Sequence, residues 1–175
     1  MSKPASPSAA LPIAHAVLRI LIVVNWLSGV LIAALLFVLP NREWIIKALK
    51  LSPSLDADRV IFGLQAIAFI GLIAIPLHYA SLKRLLAIVE TVREGDPFVA
   101  ANAARLQVIA WILLTLQLFS IFIGAIARSI STPEHPINLD AGFSISGWLA
   151  VLLTFLLARV FAAGTLMRDD LEGTV

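Results

Sequence analysis

Long stretches without a charged residue alternate along this chain with short charged connections. Ile20 to Asn41, Val60 to His78, Leu106 to Ala127 and Ala141 to Ala158 contain no Asp, Glu, Lys or Arg, and each runs about 18 to 22 residues, the length a ~30 Å hydrocarbon core demands at ~1.5 Å per residue of helix. The pattern predicts an all-α chain that crosses a membrane four times, with helices over about 14–39, 59–94, 97–128 and 142–168. Those helices form a single four-helix transmembrane domain over 13–175. Residues 1–12, rich in Ser, Ala and Pro, read as a disordered cytosolic leader. The first apolar run is too long for the core of a secretory signal, and no small-x-small cleavage site follows Leu39-Pro40-Asn41.

The connections have patterns of their own. Between Asn41 and Asp58, the apolar Trp44, Ile45, Ile46, Ala48, Leu49 and Leu51 are interleaved with Arg42, Lys47 and Lys50 before Ser52-Pro53, which predicts a short interfacial helix in the first outer loop. From Ser81 to Glu94, the spacing of Leu82, Leu85, Leu86, Val89 and Val92 extends the second membrane helix into the cytosol as an amphipathic stretch. Gly95 stands where a helix-ending glycine belongs, and Asp96-Pro97 reads as an N-cap followed by proline at the first helical position. The segment Arg128 to Gly142, with Pro133 and Pro136, reads as irregular.

Composition agrees with this layout. The 175 residues are 60% hydrophobic and 14% charged, with a mean hydropathy of +0.97, which suits lipid and not water. There is no cysteine, so disulfides, thiolate metal sites and cysteine nucleophiles are excluded. With both termini inside, the inner face holds Lys3, Arg19, Lys83, Arg84, Arg93, Arg105, Arg159 and Arg168, and the outer face Arg42, Lys47, Lys50, Arg59 and Arg128. The excess of cations on the first side favours an N-in, C-in topology. A net charge of +2 spread over both faces speaks against direct nucleic-acid binding.

Candidate chemistry begins with polar residues in the apolar runs, because a polar group in hydrocarbon needs a partner. Counting along the helices places Asn25, Thr115, Gln117 and Thr154 within roughly 13 to 18 Å of the inner surface, close enough to meet near the midplane, and Gln65 nearer the outer side. These five are either interhelical hydrogen-bonding groups or the lining of a small-molecule pocket. No carboxylate or lysine lies within a run, which argues against a proton-coupled pump. The small-residue pairs Gly29 with Ala33, Ser120 with Gly124 and Ala158 with Ala162 fit close helix contacts. Arg159 interrupts the last apolar stretch and is expected to snorkel to the headgroups. Glu134, His135 and Asp140 lack the spacing of a metal site. No nucleophile motif, phosphate-binding glycine loop or carboxylate pair occurs, so neither enzyme activity nor a cofactor is expected.

Two stretches resemble a known family. Val92-Arg93-Glu94-Gly95-Asp96-Pro97-Phe98 with Asn102-Ala103-Ala104-Arg105-Leu106, and Val160-Phe161 with Gly164-Thr165-Leu166-Met167-Arg168-Asp169-Asp170-Leu171-Glu172-Gly173-Thr174-Val175, are similar to the bacterial membrane family catalogued as domain of unknown function 2975. The resemblance implies four membrane helices, no established activity, and residence in the bacterial cytoplasmic (inner) membrane. It also implies genes often neighbouring a small helix-turn-helix transcription regulator of the lambda-repressor type. Both motifs fall on the side assigned to the cytosol. One expectation is therefore a non-enzymatic docking partner or tether for such a regulator, with Arg93, Asp96, Phe98, Asn102, Arg105, Arg168, Asp169, Asp170 and Glu172 as the contact surface. The others are a sensor or carrier built on Asn25, Gln65, Thr115, Gln117 and Thr154, and a purely structural membrane protein. Homo-oligomers are compatible with all three.

Overall fold

The computed structural model describes residues 10–49, 57–131 and 139–172. Within them the chain forms α1 (Ala10–Val38), α2 (Arg42–Leu49), α3 (Ala57–Arg93), α4 (Ala100–Ile130) and α5 (Ile145–Glu172). All but α2 are long and apolar enough to cross a membrane. The protein is thus a four-span α-helical membrane protein, with the expected elements and shifted ends. α1 opens at Ala10, inside the stretch read as leader; Pro12 is tolerated there because the first turn has no intrahelical acceptor for its missing N–H. Residues 1–9 lie outside the described residues. α5 begins at Ile145 and not at 142, because the chain before it folds back on α4.

Helix packing follows chain order. α1 packs on α3, α3 on α4, and α4 on α5, while α1 and α5 make no direct packing contact among the described residues. The four spans therefore form an opened bundle, a row with α1 and α5 as its edges. Exposure of Val30, Leu31 and Phe37 on α1, and of Leu152 and Leu156 on α5, is what lipid-facing edges require.

One end of the row, the loop end, is closed by α2. Asn41 caps it, its Oδ1 accepting from the Trp44 N–H at 3.2 Å, with Glu43 in the first turn and Lys47 in the last matching the helix dipole. Ile45 is driven into a cluster with Leu39, Val60, Ile61, Ala68 and Ile130, while Trp44 on the same helix stays exposed. At the same end, Ser120 donates to the Gly142 carbonyl at 3.2 Å and accepts from the Gly142 N–H at 3.1 Å. The segment before α5 is thereby held on α4, about 15 Å short of that helix's end. The Ser120 and Gly124 pair, expected at a helix contact, instead seats this returning loop.

α1 and α3 are in close contact at Gly29 and Asn25. Gly29 faces Ile75, where an added Cβ would lie 3.2 Å from the Ile75 Cγ2, and Asn25 Nδ2 donates to the Ile75 carbonyl at 3.1 Å. Ile75 immediately precedes Pro76, the proline inside α3.

Candidate functional site

The opposite end, the corner end, gathers the two sequence motifs. α3 ends at Arg93, and Gly95, two residues beyond, has a φ of +90°. The Gly95 N–H donates to the Val92 carbonyl at 3.2 Å and the Asp96 N–H to the Thr91 carbonyl at 3.1 Å, the paired bonds of a Schellman stop, which needs a residue tolerant of left-handed backbone. The expected cap at Asp96-Pro97 is corrected here. α4 begins at Ala100, with Val99 as an extended N-cap that offers no side-chain bond. Asp96 does not cap because its carboxylate pairs with Arg168 of α5, and the Pro97 carbonyl is taken by Asn102.

Asn102 is the hub of the corner and is 0% exposed. Its Nδ2 donates to Thr91 Oγ1 at 2.7 Å and to the Pro97 carbonyl at 2.9 Å, and its Oδ1 accepts from Arg105 at 2.7 Å. Thr91 in turn donates to the Ile88 carbonyl at 2.8 Å, and Arg105 reaches the Ala87 carbonyl at 3.4 Å. One buried amide thus ties the end of α3, the connecting segment and the first turns of α4 together, leaving none of its hydrogen-bonding atoms without a partner.

α5 is fastened to the same corner by two contacts. Phe98 lies on Phe161 with ring centroids 5.3 Å apart, and Gly164 leaves room for its ring, since a Cβ there would sit 3.1 Å from Phe98 Cδ1. The Asp96–Arg168 pair is the second contact. At the start of α1 the His15 ring approaches the Glu90 carboxylate at 3.7 Å. Both termini of the described chain therefore meet α3 or its corner at this end.

The proposed contact residues divide accordingly. Asn102 is wholly internal, Arg105 is turned inward, and Asp96 and Arg168 are engaged with each other. Arg93 and Glu94 are exposed at the end of α3 and line, with Glu90, a shallow cavity of about 300 Å³. Phe98 keeps 44% of its surface exposed. Asp169, Asp170 and Glu172 fall in the last turn of α5, and their side chains lie outside the described residues.

The intramembrane polar residues do not meet as one cluster. Asn25 is used between α1 and α3, while Thr115 and Thr154 donate back to the Trp111 and Ala150 carbonyls of their own helices. Gln117 is buried against Gly147, whose added Cβ would lie 2.2 Å from the Gln117 Oε1. Gln65 is half-buried on α3, and no hydrogen bond joins any two of the five among the described residues. Asn25 also lines a groove of about 460 Å³ between α1, α3 and α4, with Ser28, His78 and Ser81. Arg159 borders a separate α4–α5 cleft of about 330 Å³ beside Gln107. Asp140 is exposed, and Glu134 and His135 lie outside the described residues.

The profile of the family described as Protein of unknown function (DUF2975) matches residues 44–175. The chain belongs to this family. The match begins inside α2 and runs through α5, leaving out the whole of the first span, so the family's common part contains the corner, the tail and most of α2. No curated protein and no solved structure matches the chain.

Within this DUF2975 chain, Thr91 and Phe161 are site residues that sequence reasoning passed over as individuals. Thr91 gave no signal, because its hydroxyl becomes important only once the Gly95 turn brings Asn102 back over it. Exposed ion pairs add little stability, and Asp96 and Arg168 are each more than two-fifths exposed. Asp96→Ala is therefore expected to lower stability by no more than about 1 kcal/mol, read as thermal unfolding of the detergent-solubilised protein.

Proposed function

We propose that the chain is a non-enzymatic, multi-pass protein of the bacterial cytoplasmic membrane, N-in and C-in, whose corner end is a docking platform for a cytosolic protein. The partner that fits the neighbourhood implied for the family is a small helix-turn-helix transcription regulator. The observation that carries this reading is the extension of the helices beyond their apolar runs. α3 continues through Lys83 to Arg93, about 15 Å past the first charge on that side, and α5 continues to Glu172. A protein that needed only to sit in lipid would have no use for these projections, nor for a buried amide hub that fixes their relative positions.

The surface available to a partner is narrower than the two motifs. Arg93, Glu94 and part of Phe98 are exposed, and the last turn of α5 carries Asp169, Asp170 and Glu172, while Asn102 and Arg105 serve as their support. In such a surface an aromatic anchor supplies binding energy and the surrounding charges set orientation and encounter rate. The sensor or carrier reading has less behind it, since of its five residues only Asn25 lines the α1–α3–α4 groove.

The test is co-purification from gently solubilised native membranes with a charge swap that keeps the net charge, Arg93→Glu with Glu94→Lys. A helix-turn-helix protein is expected with the wild-type chain and reduced at least tenfold with the swap, which leaves elution and melting unchanged; several kcal/mol can follow from like-charge juxtaposition at an interface. Equal recovery with both chains would overturn this docking surface.

A further inference from the structure

A second feature of the corner end lies on the membrane boundary. The charge-free run of α3 ends at Leu82 and that of α4 begins at Leu106, so Lys83, Arg84 and Arg105 stand at the edge of the hydrocarbon, at headgroup depth. With Tyr79, Ala80 and Ala87 they line one cleft of about 480 Å³. Ala80, Lys83, Arg84 and Ala87 follow i, i+3, i+4, i+7 spacing and so share a face of α3, and the two alanines leave the space into which the α4 arginine reaches. None of the three cations has a carboxylate partner among the described residues. Arg84 spends one bond on the Ala80 carbonyl at 2.9 Å, and Arg105 uses the same nitrogen for Asn102 and Ala87; their other N–H groups have no acceptor among the described residues.

The same face continues into the bilayer as apolar surface. Phe69, Ile73 and Pro76 precede Ala80 at helical spacing, Phe69 is 58% and Ile73 41% exposed, and Pro76 is exposed as well. A cationic cleft at headgroup depth, set above an exposed apolar stripe, matches an anionic headgroup joined to acyl chains. A free anion would use only the upper half.

We propose that this cleft binds the phosphate of an anionic phospholipid, with Lys83, Arg84 and the remaining N–H groups of Arg105 as its cations and the Phe69–Ile73–Pro76 stripe along its acyl chains. Basic clefts between membrane helices are the usual protein half of such recognition. The site does not depend on the docking reading, since Lys83 and Arg84 belong neither to the proposed docking surface nor to the Asn102 hub.

The test is native mass spectrometry of the full chain in detergent, titrated with phosphatidylglycerol or with phosphatidylcholine of the same acyl chains. Preferential binding of phosphatidylglycerol is expected for the wild type. Lys83→Gln with Arg84→Gln is expected to weaken it about 30-fold, and Lys83→Gln alone, on an exposed side chain that the fold does not use, about fivefold. Lys47→Gln, at the loop end, is expected to leave it unchanged. Equal binding of the two lipids by the wild type, or an equal loss in Lys47→Gln, would overturn the site. Displacement of the lipid by millimolar inorganic phosphate would also overturn it, by assigning the cations to a free anion.

Discussion

Asn102→Ala is expected to lower the stability of the solubilised protein by about 3 kcal/mol, roughly a 10 °C fall in melting temperature for a chain of this size. The side chain is fully buried and makes three hydrogen bonds. Alanine would take the Pro97 carbonyl's side-chain donor away, remove one partner of Thr91, and leave the Arg105 guanidinium with only its long bond to Ala87. Losing one partner of a buried set costs more than the bond itself is worth, because the remaining groups are left desolvated. Thr91→Val, which removes a hydroxyl but leaves the Asn102 bonds to Pro97 and Arg105, is expected to cost about 1 kcal/mol. A wild-type melting temperature for Asn102→Ala would mean that the corner is held elsewhere, and that Asn102 belongs with the contact residues after all.

Gly124→Ala is expected to cost about 2 kcal/mol, even though alanine is the better helix former by about 1 kcal/mol. The added Cβ would lie 2.7 Å from the Ala141 carbonyl oxygen and 2.8 Å from the Gly142 Cα. These are backbone atoms that cannot turn aside like a side chain. Relief requires lifting the loop off α4, which breaks both Ser120–Gly142 bonds and moves the entry of α5. Gly71→Ala is the matched comparison: its Cβ would meet only Ile32 Cδ1 at 3.5 Å, an ordinary contact. That variant is expected to melt at or slightly above the wild-type temperature, and a larger loss at Gly71 than at Gly124 would contradict the close approach of the loop.

These two positions mark what could be read from the sequence and what could not. The spans were legible because a charge inside hydrocarbon is so costly that charge-free runs map directly onto helices, and the end of α3 was legible because Gly95 announces a left-handed stop. The start of α4 was misread at Asp96 because local capping rules do not register a competitor, and the competitor, Arg168, is 72 residues away in sequence. The supposed meeting of Asn25, Thr115, Gln117 and Thr154 failed for a related reason. Depth along a helix follows from counting residues, whereas rotation about its axis depends on neighbours, and two of the four hydroxyl or amide groups turned back to their own helices. The return of residues 141–142 onto Ser120 and Gly124 had no sequence signal beyond two small residues four apart, a pattern shared with ordinary helix contacts.

The docking reading stands on the side of the membrane that the corner occupies. Because the chain has no cysteine, single reporters at the exposed positions Glu94 and Lys47 can be labelled with a membrane-impermeant maleimide in intact and in permeabilised cells. The account predicts that Lys47→Cys is labelled in intact cells and Glu94→Cys only after permeabilisation. Labelling of Glu94→Cys from outside intact cells would place the corner away from the cytosol, and no cytosolic regulator could then be its partner.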